Sequence, residues 1–277
     1  MTETEVKPAP AEPKREPVIR VENVGMDFSG RTVLDSVGMD VYPGETVVVM
    51  GGSGCGKSTL LRIMIGSYQP TRGRVLLFGQ DITHLSDKEM DKLRLRFGIL
   101  FQSGALYNSM TVGENVALPM HEHTDLDDSI IDIMVKMKLE LVGLRDFGDL
   151  MPAQVSGGMK KRVGLARAIA LDPEIIFYDE PSAGLDPIVA GVIDMLIMDL
   201  SKKLGVTSVV VTHDMNSAFK IADRMFMLYQ GRVVAQGTAQ EIRNSADPVV
   251  QQFITGAPDG PIPLRMSKTD FGKDLIG

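Results

Sequence analysis

The segment that most restricts this chain is Gly51-Gly52-Ser53-Gly54-Cys55-Gly56-Lys57-Ser58, which fits the pattern G-x-x-x-x-G-K-[ST]. Its setting matters as much as its letters. Ahead of it, Thr46 to Met50 is an unbroken apolar run containing Val47, Val48 and Val49, as a strand buried on both faces requires. Behind it, Ser58 to Ile65 reads as a helix, with Thr59 in the first turn. Strand, glycine loop and helix in that order make a phosphate cradle. The glycines let successive N–H groups turn inward, and the helix N-terminus adds a favourable dipole. Lys57 is placed to reach the β- and γ-phosphates of a nucleotide, and the Ser58 hydroxyl to bind Mg²⁺. The expected fold class is therefore α/β, of the P-loop NTPase type.

Elsewhere, Val18 to Phe28 alternates apolar and polar residues, and Val33 to Val41 does the same up to the turn at Pro43-Gly44. Buried-type runs recur at Ile99 to Phe101, Ile175 to Tyr178 and Ser208 to Thr212, with helical patterns between them. That alternation predicts a largely parallel sheet. Residues 103–171 carry no strand pattern. There Ile130, Ile133, Met134, Met137 and Leu141 share one helical face, so a helical insertion is expected. Late strands follow at Met225 to Tyr229 and Val233 to Ala235, joined by Gln230-Gly231, then a last helix near Pro248 to Ile254.

The ends differ from the middle. Residues 1–17 hold Pro8, Pro10, Pro13 and Pro17 without an apolar stretch, so they read as a disordered leader and not as a secretory signal. Residues 18–254 form the main domain. Residues 255–277, with four glycines and three prolines, read as an extended tail. No apolar run reaches the ~18 residues needed to cross a bilayer. The one cysteine, Cys55, rules out an internal disulfide and fits a reducing compartment. A net charge of -7 argues against a nucleic-acid partner.

Ile175 to Tyr178 ends in Asp179-Glu180, which delivers two carboxylates to a strand end where α/β folds bind ligands. Asp179 is expected in the Mg²⁺ shell, and Glu180 as the group that orients or polarises the attacking water. Three further features follow in order: Gln102 after an apolar run, Val155-Ser156-Gly157-Gly158-Met159 before a helix, and His213 at the end of Ser208 to Thr212. With Ala183-Gly184-Leu185-Asp186 after the acid pair, this set resembles the ATP-binding cassette (ABC) family over about residues 18–254. The resemblance implies an ABC-type nucleotide-binding domain with an antiparallel β subdomain and a helical insertion. It implies ATP and Mg²⁺ as ligands, with Gln102 near the metal and the attacking water and His213 against the γ-phosphate. Ser156, Gly157, Gly158 and Met159 match the signature that meets a nucleotide held by a second subunit, and the resemblance implies Asp186 as a further nucleotide-binding residue. A homodimer with two sandwiched ATP molecules follows. Phe28 falls where the family stacks an aromatic on adenine, although a core or hairpin phenylalanine fits equally. Met159 departs from the family's usual glutamine; backbone N–H groups bind the phosphate, so activity is expected to survive.

Within that family, Phe101-Gln102-Ser103-Gly104-Ala105-Leu106-Tyr107, Met110-Thr111-Val112 and Glu114-Asn115-Val116-Ala117-Leu118-Pro119 resemble the Mla-type ATPases of the mammalian-cell-entry (MCE) class of lipid transporters. Asp259 to Arg265 is similar to that branch's C-terminal extension, which packs on the partner ATPase; an unstructured terminus is the alternative. The resemblance implies an ATPase on the cytoplasmic face of a bacterial inner membrane. Its partners would be permease subunits docked near Gln102 and the helical insertion, an MCE-domain protein and a small STAS-domain protein. Its substrate would be phospholipid moving between inner and outer membranes. Another substrate, such as a lipoprotein or polar nutrient, and a non-transport ABC regulator stay open as alternatives.

Other features invite simpler readings. His121-Glu122-His123 is expected on a polar connection, Met134/Met137 and Met195/Met198 in core packing, and Lys160-Lys161-Arg162 on a solvated helix face. Cys55, near a helix N-terminus, is expected to be a reactive thiol of lowered pKa whose alkylation blocks ATP binding.

Overall fold

The computed structural model describes residues 16–263. The expected leader, except for its last two residues, and residues 264–277 of the expected tail lie outside the described residues. In chain order the elements are β1 (Ile19–Phe28), β2 (Arg31–Val41), β3 (Thr46–Gly51), α1 (Lys57–Met64), β4 (Arg72–Leu77), β5 (Gln80–Asp81), α2 (Asp87–Arg94) and β6 (Phe97–Leu100). Then come α3 (Val112–His123), α4 (Asp128–Leu141), α5 (Gly157–Ala168), β7 (Ile175–Asp179), α6 (Pro187–Leu204) and β8 (Thr207–Thr212). The chain continues through α7 (Met215–Ile221), β9 (Arg224–Tyr229), β10 (Arg232–Gly237), α8 (Ala239–Arg243) and α9 (Pro248–Thr255).

Two sheets result. The order β10-β9-β3-β8-β7-β6 makes a six-stranded sheet, parallel except for the β9–β10 hairpin. The order β2-β1-β4-β5 makes a smaller antiparallel sheet. Side chains on a strand alternate between faces, and that alternation divides the core in two. Val48, Met50, Ile176, Tyr178 and Val210 face the helices α3 to α9. Their neighbours Val47, Val49, Ile175, Phe177 and Val209 face α1 and the antiparallel sheet. Both sets are sealed from solvent. Each such side chain contributes about 1.5–3 kcal/mol of burial, so the central sheet is the rigid base on which the strand ends present their loops.

Three helices begin with reciprocal caps. Ser86/Glu89, Thr111/Glu114 and Thr238/Glu241 each pair a hydroxyl with the third helical N–H, while the glutamate returns to the cap. The helical stretch differs from expectation on two points. On α4 the buried stripe is Ile131, Val135 and Leu139, whereas Ile130, Ile133, Met137 and Leu141 face outward, Ile133 at 59% and Met137 at 61% exposure. Both stripes fit a 3.6-residue period, so periodicity alone selected the wrong one. Met195 is likewise exposed, and only Met134 and Met198 pack against the core. His121 to His123 close α3 instead of lying on a connection.

Candidate nucleotide site

The glycine loop leaves β3 at its C-terminal edge and enters α1 at Lys57. Two positions admit no side chain. A Cβ on Gly51 would lie 2.3 Å from the Leu228 carbonyl oxygen of β9, and one on Gly56, at φ +109°, 2.5 Å from Leu34. The loop can therefore press its backbone against β9 and β2 while its N–H groups stay open. Lys57 is buried, and its Nζ donates to the carbonyls of Gly51 (2.7 Å) and Gly52 (3.1 Å), which holds the ammonium over the loop.

From β7, two strands away, comes the acid pair. Ser58 Oγ donates to Asp179 Oδ1 at 3.5 Å, so hydroxyl and carboxylate converge from separate elements. Burial is the main cause that raises the Asp179 pKa, with the Glu180 charge adding to it and Arg62, Ser58 and Lys57 opposing it. A carboxylate short of partners next to a hydroxyl is a hard-oxygen donor set, the kind that a Mg²⁺ ion satisfies. Glu180 follows with φ +49°, a left-handed conformation that costs a non-glycine residue about 1–3 kcal/mol. Its Oε2 accepts from His213 Nδ1 at 2.8 Å and from the His213 backbone N–H at 3.3 Å. The expected water-polarising group and the expected γ-phosphate contact are thus already paired.

Most of these groups border one cavity of about 830 Å³, but Gly51, Cys55 and Asp179 are not among its lining residues. Gly52, Ser53, Gly54, Gly56, Lys57, Ser58 and Thr59 form its floor, and Gln102, Glu180 and His213 line it further. Phe28 lines it too, 41% exposed and edge-on to Tyr68 at 5.9 Å between ring centres. Sequence reasoning missed three lining residues. Arg31 and Val33 lie at the start of β2, and Phe253 arrives on α9 from the far end of the chain, with nothing local to mark it.

The signature residues are not among those lining this cavity. Ser156 caps α5, its Oγ accepting from the Met159 N–H at 3.3 Å, and Ser156 and Gly157 are exposed. Met159 is half-buried against the helical core, so its side chain packs inward and leaves the helix end to the backbone. Asp186 caps α6 by accepting from the N–H groups of Ile188 (3.0 Å) and Val189 (3.1 Å).

Two expectations are overturned. Cys55 is only 9% exposed, and burial raises its thiol pKa above the ordinary value, outweighing the pull of Lys57. The thiol is packed into the loop, and its pKa is shifted up where a lowering was expected. The basic run on α5 is not a solvated face: Lys161 is 5% exposed, and Arg162 donates to the Val142 carbonyl at 3.0 Å. The spacing Gly158, Lys161, Leu165 puts Lys161 on the buried side of the helix, a signal the charge run hid.

A glycine cradle at the C-terminal edge of a parallel sheet, backed by an acid pair and accompanied by a second anion-ready helix end, defines a P-loop ATPase that binds ATP. The ABC transporter family model matches residues 34–183, and the chain belongs to that family of ATPases. Among curated relatives, the intermembrane phospholipid transport system ATP-binding protein MlaF of Haemophilus influenzae is 43% identical, covering 94% of this chain and 98% of its own length. That of Escherichia coli K12 is also 43% identical, covering 94% and 96%. The probable ribonucleotide transport ATP-binding protein mkl of Mycobacterium leprae is 41% identical, covering 91% and 73%. Among solved structures, a dimer of the ATP-binding cassette MJ0796 in a post-hydrolysis state with ADP and Pi aligns with a TM-score of 0.74 at 32% identity, covering 80% of this chain and 98% of that one.

Proposed function

We propose that this chain is the ATP-hydrolysing subunit of a bacterial inner-membrane transporter that moves phospholipid between the inner and outer membranes. The observation that carries this reading is the 43% identity to the MlaF proteins across nearly the whole chain. Among the described residues no helix is long and apolar enough to cross a membrane, so the transport path would belong to separate permease subunits. A groove beside Gln102, lined by Phe101, Tyr107, Leu118 and Pro119, suits the docking of a permease helix. An MCE-domain protein and a small STAS-domain protein complete the proposed complex at the cytoplasmic face of that membrane.

The catalytic cycle follows from the site. Lys57 and the loop N–H groups hold the β- and γ-phosphates, and Phe28 stacks on the base. Ser58 and Asp179, with Gln102, are the residues that would hold a Mg²⁺ ion, which would supply charge neutralisation for the phosphates. Glu180, oriented through His213, polarises the attacking water. Ser156, Gly157 and Gly158 are not among the residues lining the cavity; in a closed dimer they would meet the γ-phosphate held by a second copy. The dimeric state of MJ0796 with ADP and Pi supports that arrangement.

The mkl relative makes ribonucleotide the second reading. Tagged full-length chain, captured with its membrane partners in detergent and reconstituted in phospholipid bilayers, separates the two. Phospholipid should co-purify, and lipid transfer between labelled and unlabelled bilayers should require ATP. Transfer of a ribonucleotide with no lipid movement would contradict the proposal.

A further inference from the structure

Lys161 has no part in the site as assigned above, yet it has the most committed side chain in its neighbourhood. From α5 its Nζ donates to the carbonyl oxygens of Glu180 (3.2 Å), Pro181 (2.9 Å) and Ala183 (2.6 Å). An ammonium carries three hydrogens, and here all three meet one loop. A buried cation persists only where dipoles replace water, and three converging carbonyls do that.

The loop so gripped has a backbone geometry that needs support. It begins with Glu180 at φ +49°, a region that a residue with a Cβ avoids unless its surroundings impose it. On the other side, the Glu180 N–H donates to the Val211 carbonyl at 2.8 Å. The residue is thereby pinned at both backbone polar groups, by β8 below and by Lys161 above.

We infer that Lys161 is a positioning residue for ATP hydrolysis: it fixes the Glu180–Ala183 loop so that the Glu180 carboxylate points at the reacting water, and it ties that loop to helix α5. The inference rests on the role given to Glu180 in the proposed function. Because Ser156 caps the same helix, five residues before Lys161, a shift of the signature end is transmitted to the catalytic carboxylate of the same chain. Occupation of one nucleotide site would then report to the other through a single rigid helix.

The test is steady-state ATPase kinetics of the full-length chain with separate measurement of ATP affinity. Lys161→Met should lower kcat by about tenfold or more while ATP affinity changes by less than about threefold, because Lys161, Pro181 and Ala183 are not among the residues lining the cavity. Lys161→Arg, which keeps charge and donors, should recover most of the lost rate. Where Lys161→Met fails to fold, Lys161→Gln is read the same way. An unchanged kcat overturns the inference. So does a parallel loss of kcat and ATP affinity that Lys161→Arg does not relieve, since that marks a general folding role. Glu180→Gln is measured alongside. If it retains turnover, the assignment of Glu180 has failed, whereas an absent kcat split in Lys161→Met, with Glu180→Gln inactive, means the tether itself has failed.

Discussion

At the scale of single residues, the phosphate loop was legible because its chemistry is a backbone property written contiguously, with Gly51 and Gly56 enforced by β9 and β2. Burial is not local, and there the sequence misled. Cys55 sits in the loop that suggested reactivity, yet its Sγ is packed where a Gly51 side chain would be. The sign of the effect is testable. Burial makes the folded chain hold the thiol proton more tightly than the unfolded chain does. The thiol therefore stays neutral at about pH 7.5, and stability should decline as pH rises beyond the ordinary thiol value of ~8.5. A disulfide reagent at about pH 7.5 should modify native protein at least about 100-fold more slowly than free cysteine, with urea restoring the rate. Labelling at the free-cysteine rate would restore the reactive reading.

At the scale of elements, the buried strands read correctly because a run such as Val47-Val48-Val49 has few alternatives. The helices read less well, as α4 shows, because two apolar stripes compete and only the packing of α3 and α5 selects between them. The end of the chain adds an element the composition did not suggest. Gln252 of α9 is buried; its amide donates to the carbonyls of Ala257 (3.3 Å) and Ile262 (3.2 Å), and its Oε1 accepts from the Ile262 N–H at 2.6 Å. Residues 257–262 are thus folded back on α9, beside the Phe253 that lines the nucleotide cavity. Gln252→Ala leaves those backbone groups unpaired and should cost about 1–3 kcal/mol. In urea titration it should lower the midpoint and expose the segment to protease. An unchanged midpoint and cleavage pattern would mean the clasp does not hold in solution.

At the scale of the whole molecule, the order of motifs identified the family, because that order fixes which strand ends meet at the sheet edge. Within one chain, phosphate-loop residues line the cavity and the signature helix end does not. A second copy is proposed to supply that signature end, and light scattering with bound-nucleotide analysis decides whether it does. With Mg·ATP, Glu180→Gln should abolish turnover and shift the protein to twice the mass of one chain, with one ATP per chain retained. Lys57→Ala should bind little nucleotide and stay at the single-chain mass. A Glu180→Gln protein that hydrolyses ATP at the native rate, or holds ATP while remaining monomeric, would mean that the site is not shared between two copies in this way.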